Sequence, residues 1–232
     1  MVGDEAERRY YANGMARIYL VAIEDVIGSN GVAAVLRLAK LGHLIGNYPP
    51  DSLDREFSFE DFAAINQAVQ EVYGPQGAKG LCQHAGRATL EYAVTDGGLM
   101  ADLPDAAFKL LPPGAKVKVG LSTLAKSLSD ISDQAAYVEE DGENIVFVVE
   151  QCPECWGSSS DGPICHGTTG VLQEALQWLS DSQEFTAVET ECVARGDDAC
   201  TFAISRKAVE EEPEGHKATG STEEAVLDGG ST

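Results

Sequence analysis

Residues 135–152 read AAYVEEDGENIVFVVEQC, two runs rich in β-branched and aromatic residues on either side of Asp141-Gly142. This pattern predicts a β-hairpin, because an Asp-Gly pair supplies the backbone angles of a tight turn between antiparallel strands. Downstream, Val171, Leu172, Ala175, Leu176 and Leu179 recur at helical spacing within GVLQEALQWLSDS. EFTAVETECVA, the turn RGDD and CTFAIS then read as a second hairpin. Upstream of Gln134 the apolar period is that of helices. The expected fold class is therefore α+β: a helical N-terminal half packed on a four-stranded antiparallel sheet, with one helix between the two hairpins.

In the helical half, YYANGMARIYLVAIEDVI carries one apolar stripe of Met15, Ile18, Tyr19, Ala22, Ile23 and Val26. NGVAAVLRLAKLGHLIG follows as a second helix, with Val32, Val35, Leu36 and Leu38 apolar and Gly46 ending it before Pro49 and Pro50. A third begins at SFEDFAAINQAVQEVYG, where Ser58 caps and Asp61 stands three residues on. Phe62, Ile65, Val69 and Val72 form its inner face, and Gly74 and Pro75 stop it. GLCQHAGRATLEYAV and VGLSTLAKSLSDIS read as further helices, separated by a loop around LPPGAK. The many Ala and Gly residues on these helices allow either an apolar cavity or close helix packing. Residues 1–133 are thus the helical portion of one domain and 134–206 its sheet portion. Residues 207–232, acidic and poor in apolar side chains, are expected to form a disordered tail.

A chain of 232 residues with 44% hydrophobic content can bury a sizeable core. Its formal charge of −22 repels phosphate backbones and anionic lipid, which argues against direct binding of nucleic acid. No uninterrupted apolar run approaches the roughly 20 residues of a membrane span, and MVGDEAERRYY lacks the apolar segment of a secretion signal. These features predict a soluble, cytoplasmic protein.

Five of the six cysteines, Cys152, Cys155, Cys165, Cys192 and Cys200, fall within one segment, and only Cys82 stands apart as an ordinary core thiol. A reducing compartment disfavours permanent disulfides. Cys192 and Cys200 are symmetric about Gly196 and so face each other in the second hairpin. With a carboxylate nearby they suit a tetrahedral zinc site, and Cys165, at the start of the helix leading into that hairpin, is the best further ligand. Glu189 lies three residues from Cys192 and on an ideal strand would point to the other face, so only a bulge or bend brings both to one ion. Glu191 is the alternative acid. Two other readings stay open at this level: a labile disulfide between Cys192 and Cys200, and a redox or zinc-knuckle role for CPEC, which makes Cys152 and Cys155 second-choice ligands. His166 adjoins Cys165 and could support or replace a ligand. His84 is the helical histidine that a haem reading would need.

The order CPECWG, CHGTTGVLQEAL, ETECVARGDDACTF resembles the 4-vinyl reductase domain family, found in bacteriochlorophyll-biosynthesis proteins and in the sensory domains of phenol-responsive transcription activators. The resemblance covers the C-terminal half. It implies a fold shared with subunits of the TRAPP trafficking complex and, more distantly, with haem-based nitric-oxide sensors. In phenol-sensing members zinc is held by a cysteine before a Gly-rich helix and by Glu-x-x-Cys followed, after seven residues, by a second Cys. By that motif the ligands here are Cys165, Glu189, Cys192 and Cys200, with zinc as the cofactor. The family's small-molecule pocket lies between helices and sheet.

The resemblance therefore implies a zinc-stabilised domain, expected to be a homodimer, that binds or carries an apolar ligand such as an aromatic compound or a tetrapyrrole precursor. Two alternatives follow from it: a reductase or accessory factor for a tetrapyrrole vinyl group, and an interaction scaffold like the trafficking subunits. No G-x-G-x-x-G after a strand and no P-loop is present to bind a donor nucleotide, which weighs against the reductase. Four protein ligands would close a zinc site, so a structural use of the ion is expected.

Overall fold

The computed structural model describes residues 8–95, 108, 110–141, 144–180 and 185–206. The expected disordered tail, 207–232, lies outside the described residues. The chain opens with a short strand β1 (Tyr10–Ala12), which pairs antiparallel with β2 (Arg55–Ser58). This ribbon was not expected from the sequence, since runs of three and four residues are too short to show alternation.

Between those strands, α1 (Asn13–Leu38) replaces the two predicted helices with one that is kinked at Gly28, where φ is 72° and ψ is 165°. It ends at Leu38 and not at Gly46. Leu41 N–H donates to Leu36 C=O at 2.8 Å and Lys40 N–H to Arg37 C=O at 3.1 Å, with Lys40 in the left-handed region at φ 62°; this closes the helix before the apolar pattern runs out. By length and composition α1 could cross a membrane, which the sequence reading did not foresee. In the fold its Met15, Tyr19, Ile23 and Leu36 are buried in the core.

The third and fourth predicted helices are likewise joined as α2 (Phe59–Thr95), kinked at Gly74 with φ 70° and ψ 169°, and Pro75 opens the second segment, where a missing N–H is harmless. Asp61 N–H donates to Ser58 Oγ at 3.1 Å, the expected cap. Val26, Leu38 and Val72 were placed on inner faces but are exposed, because the kinks and the helix end break each stripe there. The helical half is completed by α3 (Pro113–Ile131).

The two hairpins form one antiparallel sheet from β3 (Ala136–Asp141), β4 (Asn144–Val149), β5 (Phe185–Glu191) and β6 (Cys200–Arg206), in the order β3-β4-β6-β5. Phe147 opposes Phe202 on the two central strands, and both are fully buried. The helix between the hairpins, α4 (His166–Ser180), packs on α2, α3 and β5. Its approach to α2 requires glycine. A Cβ built on Gly86 would lie 2.0 Å from the carbonyl oxygen of Gly167, and one on Gly170 would lie 2.2 Å from that of Gln83. Here the small residues serve close packing, and they bring the first turn of α4 against the helical layer beside the sheet.

Candidate metal centre and the adjoining cavity

Four chain segments deliver the five clustered cysteines to one place. Cys152 and Cys155 come from the loop after β4, Cys165 immediately precedes α4, Cys192 follows β5, and Cys200 begins β6. All five are buried, and none is in a disulfide. Their sulfurs are 3.4 Å apart for Cys152–Cys165, 3.5 Å for Cys155–Cys200, 3.6 Å for Cys165–Cys200, 3.8 Å for Cys165–Cys192 and 4.0 Å for Cys192–Cys200. Ligands about 2.3 Å from a tetrahedral zinc ion stand about 3.8 Å from one another, so these separations suit a metal-thiolate centre.

Glu189 reaches the cluster because β5 carries the bulge on which the sequence reading turned. Glu189 pairs with Phe202 and Glu191 with Thr201, leaving Thr190 as the extra residue. The bulge restores Glu189 and Cys192 to one face. The Glu189 Oε2 accepts the Cys165 N–H at 2.9 Å, whereas its Oε1 is buried with no hydrogen-bond partner. Glu191 points elsewhere: it is exposed and accepts a hydrogen bond from Thr201 Oγ1 at 3.1 Å. Two sets of four ligand atoms result, each within 4.8 Å: Cys152, Cys155, Cys165 and Cys200, and Cys165, Glu189, Cys192 and Cys200. The residues ranked second from sequence thus share two cysteines with those ranked first.

The local backbone supports negative charge on the sulfurs. Val193 N–H donates to Cys200 Sγ at 3.4 Å, and Asp197, which accepts the Cys192 N–H at 2.8 Å, shapes the turn ahead of β6. Among the thiols Cys155 is pushed far down, chiefly by hydrogen bonding from Cys152 and then from Cys165, Cys192 and Cys200, while Cys165 is pushed well up by the same neighbours. Burial, and then the charge of Cys192, raises the Glu189 carboxyl to about 9. A bound cation would reverse these shifts, since it favours every deprotonated ligand at once. Buried thiols at these spacings, with an unpartnered carboxylate oxygen, fit zinc.

Glu154, between the CPEC cysteines, went unremarked in the sequence. It is buried, and its carboxylate accepts the Gly167 N–H at 2.7 Å, the Thr168 Oγ1 at 2.5 Å and the Thr168 N–H, capping α4 from a different segment. Burial raises its pKa to about 7 against these hydrogen bonds. The available signal was an acid held between two cysteines shortly before a helix that lacks an acid in its own first turn. Pro153 and Glu154 also line a cavity of about 30 Å³ between helices and sheet, whose other walls include Tyr11, Tyr19, Phe62 and Val149.

Neither histidine considered from sequence joins these features. His166 is the first residue of α4 and lines a surface groove with Gln67 and Pro75, outside both ligand sets. His84 is exposed on α2. The cavity has no histidine or cysteine in its lining and is far below the roughly 300 Å³ at which cofactor pockets begin, so haem does not fit the described residues.

All six candidate ligands fall within one stretch that is recognisable by comparison. Residues 145–206 match the 4-vinyl reductase domain. The match is to the family that the cysteine motifs resemble, and it runs from β4 to β6. Over 133 residues the chain is 26% identical to the bacteriochlorophyll synthase 23 kDa chain of Cereibacter sphaeroides, covering 57% of this chain and 63% of that one. It is 35% identical over 60 residues to an uncharacterized protein of Methanocaldococcus jannaschii, covering 26% of this chain and 33% of that one. The chain spans less than two thirds of the length of the curated relatives it matches.

Over most of its length the chain has a further likeness, one of fold. An H-NOX protein from S. oneidensis in the Fe(II)NO ligation state is 15% identical, with a TM-score of 0.50 over 82% of this chain and 98% of that one. The Fe(II) unliganded H-NOX protein from K. algicida is 13% identical, with a TM-score of 0.51 over 85% of this chain and 97% of that one. Both support the α+β architecture, with helices and an antiparallel sheet in one fold.

Proposed function

We propose that the chain is a metal-clamped small-molecule-binding domain, acting as a homodimer, in which zinc held by Cys165, Glu189, Cys192 and Cys200 fixes one wall of a ligand cavity. The observation that carries this reading is the double use of one loop. Cys152 and Cys155 turn into the thiol cluster, while Pro153 and Glu154 between them line the cavity. Zinc, when bound, supplies a cross-link without redox chemistry. The protein's own part is to hold the α4 N-terminus through Glu154 and to close an apolar chamber with Tyr19 and Phe62, whose rings stand 4.8 Å apart.

As closed, the cavity of about 30 Å³ accommodates about two waters, so an occupant must part its walls. A single-ring aromatic needs the smaller opening and is the ligand class we favour. The similarity to the bacteriochlorophyll synthase 23 kDa chain favours a second reading, a tetrapyrrole precursor, which needs a pocket an order of magnitude larger. Native mass spectrometry and calorimetry with phenol, substituted phenols and a porphyrin panel distinguish them. Phenols should bind, and a chelator should weaken that binding several-fold. Failure of every single-ring compound would refute the reading, and binding of porphyrin alone would transfer the site to the second.

A further inference from the structure

We propose that the cluster is a binuclear centre, in which two thiophilic divalent ions share the Cys165 and Cys200 thiolates as bridges. Cys152 and Cys155 complete one tetrahedron, and Glu189 and Cys192 the other. This goes beyond the single clamp proposed above and rests on its ligand assignment for one of the two positions.

Three observations carry it. First, the two ligand sets are not rivals for separate places, since they meet along one edge, the 3.6 Å Cys165–Cys200 pair. Second, a single tetrahedral ion can engage only four of the six groups. In one position it would leave Glu189 and Cys192 unused, and in the other Cys152 and Cys155, although all five thiols are buried and Glu189 Oε1 has no partner. Ligand-free buried groups of this kind are costly, and a second ion satisfies them together. Third, the packing is wrong for an iron–sulfur cluster. Inorganic sulfides would hold the cysteines of different irons well apart, whereas Cys165 and Cys200 touch and each also contacts other thiols of the cluster.

The charge count is compatible with burial. Five thiolates and one carboxylate carry six negative charges against four positive from two ions. A residue of two remains, equal to that of a single ion in four thiolates. Neighbouring backbone donors, the Val193 N–H on Cys200 and the Cys165 N–H on Glu189, face that residual charge. The first turn of α4, beside Cys165, adds its partial positive charge.

Elemental analysis and native mass spectrometry of the full chain, purified reduced from zinc-supplemented medium, decide the question. Two zinc ions per chain are expected, with a metal–metal vector of about 3 Å in zinc-edge absorption spectra, the separation set by two bonds of about 2.3 Å to each sulfur of the 3.6 Å pair. Cobalt replacement should give magnetic coupling between the two ions. Cys152→Ser with Cys155→Ser, and separately Cys192→Ser, should each reduce the content from two to one. One zinc in the wild-type protein, with no metal–metal vector, would overturn the second ion and leave the single clamp standing. No zinc at all would overturn both. The wild-type stoichiometry decides even where a variant fails to fold.

Discussion

The contact between α2 and α4 provides a test that separates packing from backbone propensity within one helix. In Gly86→Ala the new methyl would sit 2.0 Å from the Gly167 carbonyl oxygen and 2.8 Å from its carbon. A carbon meets a carbonyl oxygen comfortably at about 3.3 Å, so α4 must retreat by roughly 1.3 Å. The obstacle is backbone and cannot rotate away. Overpacking of this kind costs about 1–3 kcal/mol, and the upper end applies because Gly167 also donates to Glu154 and lies two residues from Cys165. Alanine regains about 1 kcal/mol of helix propensity, leaving a net loss of about 2 kcal/mol. In the same helix, a Cβ on Gly80 meets nothing within 4 Å, so Gly80→Ala should stabilise by about 0.5–1 kcal/mol. Urea unfolding of both variants, each with metal content measured, gives the comparison. Equal stability of Gly86→Ala and wild type within about 0.5 kcal/mol would refute the claim that the helices are in backbone contact at this point.

Cys200→Ser removes a ligand common to both sets and should lose more metal than Cys192→Ser, whereas Cys82→Ser should retain the wild-type content; equal retention in all three would place the metal elsewhere. Burial pushes the Cys82 thiol up to about 12, so iodoacetamide should modify it only after unfolding, as mapped by mass spectrometry, and rapid native alkylation would contradict its burial. Metal binding must expel protons, because without an ion the Glu189 carboxyl stays protonated up to about 9 and several thiols hold theirs. Zinc affinity should therefore rise with pH and collapse on acidification. Calorimetry in buffers of different ionisation enthalpy should show more than one proton released per ion bound, and none released would exclude these ligands.

Much of this protein was legible from the chain alone, for reasons that are local. The turn at Asp141, the helical period from Val171 to Leu179 and the cap at Ser58 depend on neighbours in sequence, and the structure has the elements they predict. The kinks at Gly28 and Gly74 joined helices that had been read as separate, because a single glycine at positive φ breaks the apolar stripe without ending the hydrogen-bonded run. The ligand types were also visible, as five thiols and an acid in one segment. Their arrangement was not. Whether Glu189 and Cys192 share a face depends on a bulge fixed by pairing with β6, and whether CPEC belongs to the same centre depends on how β4 is carried beside that hairpin. The buried role of Glu154 likewise exists only because α4 starts against its loop. Side-chain chemistry is written in the sequence, but which groups share an edge of one cluster is set by long-range strand register and by the glycine contacts that seat α4.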